Sequence, residues 1–202
     1  MATSHRIIRG ENKDTILVSF AGQGMGIGTL PQFEFVNFLN KHFLQYEKHF
    51  YMDIYKKWYH RGIDGISKNI LETKEYLQRQ IQGFKKVVFI GSSSGGYAAI
   101  LFGSLLQIDV VLAFIPQTIL PYSSAVFQME YGDLRDWINT TTEYNIYGDL
   151  SATLLGDPYH HVSHCFNIEV GPNVHVFCEE QLDLKKWRDN GKLIEILGGI
   201  IQ

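Results

Sequence analysis

The chain has 202 residues, 45% of them hydrophobic, which is enough for one well-filled core but short for two domains. We therefore predict a single domain over residues 1–202. Acidic residues number 21 against 18 Lys plus Arg, and neither sign forms a long block, so the charge argues against nucleic-acid and anionic-membrane partners.

The compartment is predicted from the N-terminus and the cysteines. The first residues are polar and lack an apolar secretory region, and no stretch is long enough to cross a bilayer, so we expect a cytoplasmic protein. Cys165 and Cys178 are too few for a disulfide framework and lack C-x-x-C spacing, so reduced thiols are expected.

Apolar periodicity predicts alternating strands and helices along the first half of the chain. In chain order we expect a strand, a helix, a strand, a helix and a strand over residues 15–20, 33–43, 49–54, 66–81 and 87–90. The first of these strands runs into the glycine-rich segment 22–28.

The second half continues the alternation. A helix follows Gly95, and the nearly continuous apolar run 109–115 predicts a strand buried on both faces. Two further strands and two helices are expected at residues 144–147, 173–177, 158–166 and 184–197. Such alternation with short connections predicts a three-layer, doubly wound, mostly parallel sheet.

The motif with the most chemical content is Gly91-Ser92-Ser93-Ser94-Gly95, between an apolar strand and an alanine-rich helix. In a G-x-S-x-G turn the glycines remove Cβ atoms that would clash, and the central Ser93 is held at the tip as a nucleophile. The N–H of Ser94, at the start of the helix, is a candidate donor to an oxyanion.

A serine nucleophile requires a base and an acid to orient that base. In chain order, serine precedes the acid and the acid precedes histidine. Asp149 and Asp157 both follow the strand at residues 144–147 and both qualify; we favour Asp157, because a longer loop can reach Ser93. Either one could instead cap a helix or a turn.

The base is harder to assign, because residues 178–183, directly after the strand at 173–177, contain no histidine. His175 alternates within that strand, which is typical of a structural residue. The replacement candidates are His160, His161 and His164, on one predicted helix, and we take His160 for the site.

The second oxyanion donor should follow the first predicted strand, where the N–H of Gln23 lies between two glycines. This segment does not match a nucleotide-binding loop: its spacing is G-x-G-x-G-x-G, and the chain contains no G-K-[ST]. The clustered histidines lack the acidic or thiolate partners of a metal site. We predict no metal and no cofactor.

The residues around the motif resemble the nucleophile elbow of small bacterial α/β-hydrolase-like proteins, typically G-S-S-M-G-G-Y-A-A-L-L-F-G. The similarity runs from about Ile16 to the C-terminus and is carried by residues 58–62, 90–103, 114–118, 157–160 and 190–193. The resemblance implies an α/β-hydrolase fold with Ser93 as nucleophile, Asp157 as acid and a histidine shortly before the last helix.

The chain departs from that family at the histidine, which would fall near Gln181 or Leu182. Neither side chain can accept a serine proton and return it to a leaving group. Two hypotheses follow: a serine hydrolase for an ester or thioester of a small acyl group, with an atypical or missing histidine, or a non-catalytic protein that binds a small ligand or partner in the inherited cleft.

The chain between residues 115 and 144 is short, so we expect a minimal lid or none. An open cleft suits a small or polymer-borne acyl substrate better than a long free fatty chain. The sequence leaves the oligomeric state open.

Overall fold

The computed structural model describes residues 4–23, 33, 35–120, 129–151 and 161–201, and its centre is one seven-stranded sheet. The strands are β1 (His5–Ile8), β2 (Asn12–Phe20), β3 (Tyr46–Tyr51), β4 (Lys86–Ser92), β5 (Val110–Phe114), β6 (Glu143–Asp149) and β7 (Val174–Glu179). Their spatial order is β1-β3-β2-β4-β5-β6-β7. Only β1 pairs antiparallel, with β3, and every other pair is parallel.

Helices cover both faces of this sheet, which makes the predicted three layers. The described helices are α1 (Val36–His42), α2 (Ile70–Ile81), α3 (Ser94–Leu106), α4 (His161–Asn167), α5 (Leu184–Asp189) and α6 (Lys192–Ile201). One core cluster joins the sheet to α2, α3 and α4, and a second joins the opposite face to α1, α5 and α6. The doubly wound, mostly parallel α/β architecture is confirmed.

The central strands are buried on both faces, as their continuous apolar sequences predict. All five residues of β5 are buried, and so are six of the seven in β4, from Val87 to Ser92. Because no polar alternation is needed in a covered parallel strand, these runs are Val-, Ile- and Phe-rich.

Several elements differ in their bounds from the predicted ones. The helix expected over 66–81 begins only at Ile70, where the Asn69 side chain caps it by accepting from Glu72 N–H. The predicted strand 49–54 is shifted, because β3 begins at Tyr46 and includes the buried charged residues Glu47 and Lys48. Glu47 forms an ion pair with Arg9 and a hydrogen bond with His49 Nε2 at 2.9 Å, and Lys48 Nζ donates to the carbonyl oxygens of Phe43 and Leu44 at 3.0 and 3.3 Å. These partners satisfy charged groups that interrupt the apolar pattern.

The last predicted helix is two helices, and β1 was not predicted at all. α5 ends at Asp189 and α6 begins at Lys192, with Gly191 between them at φ 87°. That left-handed conformation favours glycine and ends the first helix. β1 has only four residues and lies at the edge, where its burial is partial and its pattern weak.

Neither cysteine forms a disulfide: Cys165 is buried in α4 and Cys178 is partly buried in β7. Burial raises the pKa of the Cys165 thiol to about 12, so this sulfur stays protonated and inert at neutral pH. Within the described ranges, no helix is long and apolar enough to span a membrane.

Candidate functional site

The connections of the sheet change direction between β2 and β4. These strands are neighbours, but the chain leaves β2 toward α1 on one face and leaves β4 toward α3 on the other. In open parallel sheets a crevice forms beyond the carboxyl ends of two such strands, and ligands bind there. Gln23 follows β2 and Ser93 follows β4, so the topology brings both predicted residues to this crevice.

Ser93 connects β4 to α3 in a strained turn. Its backbone has φ 54° and ψ −122°, a region that non-glycine residues rarely adopt. The turn is held from both sides, because Ser93 N–H donates to the Phe114 carbonyl at 3.0 Å and the Ser93 carbonyl accepts from Tyr97 N–H at 3.0 Å. This strand, tight turn and helix are the geometry that the G-x-S-x-G motif predicts.

The two outer glycines of the motif are required by close backbone contacts. A Cβ atom on Gly91 would overlap the carbonyl group of Gly95, and one on Gly95 would overlap the carbonyl oxygen of Phe20 at the end of β2. The first turn of α3 therefore packs directly on the chain that leads to Gln23. This contact is possible only without side chains at both positions.

Two polar groups at the crevice are buried without a hydrogen-bond partner in the structure. They are the hydroxyl of Ser94, in a residue that is 1% exposed, and the carboxamide nitrogen of Gln23. Ser94 is also the first residue of the 13-residue α3, so its N–H lies at the positive end of the helix dipole. Ser94 is therefore adjacent to Ser93, and Gln23 follows β2, the strand that pairs with β4.

Of the two predicted acids, the structure describes only Asp149. It ends β6, and its carboxylate accepts from the backbone N–H and the hydroxyl of Ser151 at 2.9 and 2.7 Å. This is the local turn interaction that short acidic side chains favour after a strand. Asp157, the favoured acid, lies outside the described residues.

The candidate bases have separate outcomes. His160 lies outside the described residues, and His161 begins α4. His164 is buried, and its Nδ1 accepts from the backbone N–H groups of Thr118 and Ile119 at 3.1 and 3.2 Å. An accepting Nδ1 places the proton of the neutral ring on Nε2, so His164 fixes the segment after β5 rather than acting as a base.

His175 has a structural position, as its alternation suggests. It is exposed on β7 and pairs in register with Asn145 on β6. When the register is followed across β5 to β4, the residue level with His175 is two positions before Ser92. Three strand spacings of about 4.8 Å each separate β7 from β4. His175 is therefore too far from Ser93 to exchange a proton with it.

The loop where a histidine is missing is well defined. β7 extends to Glu179, and Asp183 caps α5 by accepting from the N–H groups of Lys185 and Lys186 at 2.9 and 3.0 Å. Between them, Gln181 is exposed, and Leu182 packs against the core on the α1 face. This loop follows the carboxyl end of a parallel strand, as do the loops that carry Ser93 and Gln23.

A second loop at this end of the sheet is the segment from Asp53 to Tyr59, which the rule that ligands bind beyond the carboxyl ends of parallel strands predicts to border the crevice. Asp53 follows β3, is 3% exposed, and accepts from the N–H groups of Tyr55, Lys57 and Tyr59 at 3.0, 2.6 and 3.0 Å. Burial raises the pKa of this carboxyl, while the backbone donors act in the opposite direction. The clamp holds a tight loop in which Lys56, Trp58 and Tyr59 all have positive φ.

This loop contacts the segment after β5 and the helix that follows the elbow. The indole N–H of Trp58 donates to the side-chain oxygen of Gln117, after β5, at 2.7 Å. His60 stacks on Tyr97, and its Nε2 lies 2.8 Å from the Tyr97 hydroxyl, which itself donates to the Tyr131 carbonyl at 2.7 Å. His60 is therefore the donor to Tyr97, and burial lowers its pKa to about 4.

These contacts join the loop after β3 to Gln117 and Tyr97, and the sequence contains only a weak indication of them. Sheet topology predicts that residues 53–59 lie at this edge of the sheet, and the family resemblance also includes residues 58–62, but no spacing rule connects them to Ser93. The described residues include no group of His, Cys, Asp and Glu side chains that could hold a metal ion.

The sheet order, the elbow at β4 and the crevice beyond the strands define an α/β-hydrolase fold. Comparison with known proteins supports this fold. The chain is similar to the capsule O-acetyltransferase of Neisseria meningitidis serogroup A, with a TM-score of 0.64, 15% identity, and coverage of 96% of this chain and 92% of the other.

Two further solved structures show the same fold. Alpha/beta hydrolase domain-containing protein 10 from mouse has a TM-score of 0.63 and 11% identity, with 98% of this chain and 92% of that chain covered. A serine hydrolase without a lid from Xanthomonas campestris has a TM-score of 0.50 and 11% identity, with 87% and 78% covered. No family model and no curated protein sequence matches the chain.

Proposed function

We propose that this protein is a serine hydrolase that acts on an ester or thioester of a small acyl group through Ser93. The observation that carries the proposal is the Ser93 backbone at φ 54° and ψ −122°, at the switch point of an α/β-hydrolase fold. Strain of this kind persists only where surrounding contacts impose it, and it is concentrated at functional sites.

In the proposed reaction, Ser93 Oγ forms a bond to the acyl carbonyl carbon and loses its proton to a base. The resulting oxyanion is held by the N–H groups of Ser94 and Gln23. When the carbonyl re-forms, the alcohol or thiol leaves with a proton from the base, and water then releases the acyl group from Ser93 by the same steps. The proposed base and acid are His160 and Asp157.

We propose that the site admits a small or polymer-borne acyl substrate. Between β5 and β6 the chain spans only residues 115–142, which leaves room for a minimal lid. Solved structures with this fold include both a hydrolase and an O-acetyltransferase, so an acyl group on Ser93 has two classes of acceptor, water or a hydroxyl.

The absent histidine in residues 178–183 favours a second candidate, a non-catalytic protein that binds a small ligand or partner in the same crevice. Loss of the base need not abolish catalysis. The oxyanion donors and substrate positioning alone can leave a rate enhancement of roughly 10³ to 10⁴ over water. The two candidates therefore differ in whether Ser93 reacts at all.

The test is the intact mass of the protein after exposure to a fluorophosphonate probe, with Ser93→Ala as the control. We expect the wild-type protein to gain the mass of one phosphonyl group and Ser93→Ala to gain none. Ser92→Ala is a matched control, because Ser92 precedes the elbow in β4 and should not affect labelling. Wild-type protein without a mass shift would support the non-catalytic candidate.

A further inference from the structure

Four buried polar side-chain atoms have no hydrogen-bond partner within the part of the chain that the structure describes, and two of them belong to residues that follow the neighbouring strands β2 and β4. They are the Gln23 carboxamide nitrogen and the Ser94 hydroxyl; the others, on His5 and Asn40, lie elsewhere. Buried donors are nearly always paired in folded proteins, because an unpaired one keeps its full desolvation cost. An exception at the crevice therefore indicates a ligand atom as the missing partner.

The backbone brings the chain that leads to Gln23 against the elbow. Phe20 at the end of β2 pairs in register with Gly91 at the end of β4. The carbonyl of Phe20 lies where a Cβ of Gly95 would be, so this part of the chain is against the first turn of α3. Gln23 is three residues beyond Phe20 and cannot be more than about 11 Å from it along the chain.

The chain before Gln23 is fixed, so its side chain has a defined origin. Ala21 N–H donates to the Tyr51 carbonyl at 2.9 Å, and the Ala21 carbonyl accepts from the Tyr59 hydroxyl at 2.9 Å. Tyr59 is 0% exposed and belongs to the loop that Asp53 clamps. A donor on such a rigid support needs little reorganisation when charge develops on a substrate.

We propose that the Gln23 side chain, in addition to its backbone N–H, donates a hydrogen bond from Nε2 to the acyl oxygen of the substrate. This inference rests on the proposed function, because it requires an acyl oxygen that becomes an oxyanion on Ser93. The carboxamide is thus a catalytic residue, and it stabilises the tetrahedral intermediate more than the bound ester.

Gln23→Met tests this assignment, because methionine has a similar length and no donor. We expect the rate of phosphonylation of Ser93 to fall about 10- to 100-fold. Removal of one oxyanion-hole donor lowers the catalytic rate of serine hydrolases by about 10²- to 10³-fold, and here the backbone N–H of Gln23 remains. The melting temperature should stay equal or rise, because the substitution removes an unpaired buried amide. Gln82→Met, at the exposed C-terminal end of α2, is the matched control and should keep the wild-type rate.

A second variant separates donation from shape. Gln23→Glu keeps the size of the side chain but replaces the donor with a carboxylate, which repels a developing oxyanion. We expect its labelling rate to fall further than that of Gln23→Met. Equal rates for Gln23→Glu and the wild-type protein would overturn the inference.

The remaining outcomes are also decisive. A slower Gln23→Met variant with a lowered melting temperature would show a structural role and would overturn the assignment. If the wild-type protein is labelled and Gln23→Met is labelled at the same rate, the inference about the Gln23 side chain is overturned but the proposed nucleophile is not. Wild-type protein that takes no probe contradicts the proposed nucleophile, and the inference falls with it.

Discussion

Gly95 and Gly198 lie in helices but differ in the space available to a methyl group. A Cβ on Gly95 would overlap the Phe20 carbonyl oxygen, whereas a Cβ on Gly198 in α6 would have no atom within 4 Å. We expect Gly95→Ala to lower the free energy of unfolding by about 3 kcal/mol, since backbone atoms must shift. Gly198→Ala should raise it by about 0.5–1 kcal/mol. Urea unfolding of both variants checks this, and similar values would contradict the close packing of α3 on β2.

The pKa of His60 makes stability depend on pH in a defined direction. Burial lowers this pKa from 6.5 to about 4, so the unfolded chain binds a proton that the folded protein excludes between those values. The free energy of unfolding therefore falls as pH falls through 6.5 toward 4, by up to about 3 kcal/mol for this group. His60→Phe should remove that part of the pH dependence, measured by urea unfolding at pH 7 and pH 4.5.

Two other histidines serve to interpret that experiment. Burial also lowers the pKa of His49, so some pH dependence should remain in His60→Phe. His175 is exposed on β7, away from the Tyr97 contact, so His175→Phe is the matched control and should keep the wild-type dependence. An unchanged difference between pH 7 and pH 4.5 in His60→Phe would show that His60 is not buried as a neutral ring.

At the scale of elements, the loop after β3 depends on one carboxylate. Asp53 accepts three backbone N–H groups from a loop with three positive φ angles, so Asp53→Ala leaves those donors unpaired. We expect the free energy of unfolding to fall by about 3 kcal/mol, since hydrogen bonds to a buried charge are among the stronger ones. Asp64→Ala, which removes only an exposed contact with the Tyr55 hydroxyl, should cost less than about 1 kcal/mol. Equal losses in urea unfolding would contradict the clamp.

The sequence predicts elements well where one physical cause dominates. β4 and β5 are continuous apolar runs, and α2 has one apolar stripe, so burial alone determines them. β1 and the first residues of β3 were missed or shifted, because the edge strand and the Arg9–Glu47 ion pair depend on partners far along the chain. The break between α5 and α6 depends on Gly191 at φ 87°, where an isolated glycine within an apolar pattern gave a weak signal.

At the scale of the whole molecule, the site also combines features that follow from local sequence with features that depend on distant parts of the chain. The elbow could be predicted because residues 87–106 contain its strand, its turn and its helix. The crevice could be predicted in outline, because parallel strands end at one edge of the sheet. The same rule predicts that residues 53–59 and 116–118 lie at this edge. The contacts of Trp58 with Gln117 and of His60 with Tyr97 could not be predicted, because they join segments about 40 to 60 residues apart that no local pattern relates.

The candidate without a working base is tested at the scale of the whole fold, because the loop where the family resemblance implies a histidine follows β7, three strands away from the strand that carries Ser93. The loop after β7 ends beside α5, and its exposed Gln181 can accept a larger ring without loss of core packing, whereas Leu182 contacts the core. Gln181→His separates the two candidates. For a site that has lost its base we expect the hydrolysis of a small activated ester to rise by at least tenfold, since a positioned general base contributes about 10²- to 10⁴-fold, and for a site that uses His160 we expect no such gain.

Leu182→His should give a smaller gain, because it also removes an apolar contact with the core. Glu180→His is the placement control, since it adds an imidazole one position earlier and should leave the rate unchanged. The gain must disappear when Ser93→Ala is combined with Gln181→His, because a free imidazole can hydrolyse activated esters by itself. No gain in folded Gln181→His and Leu182→His would mean that a histidine in this loop cannot reach Ser93. The candidate base would then be His160.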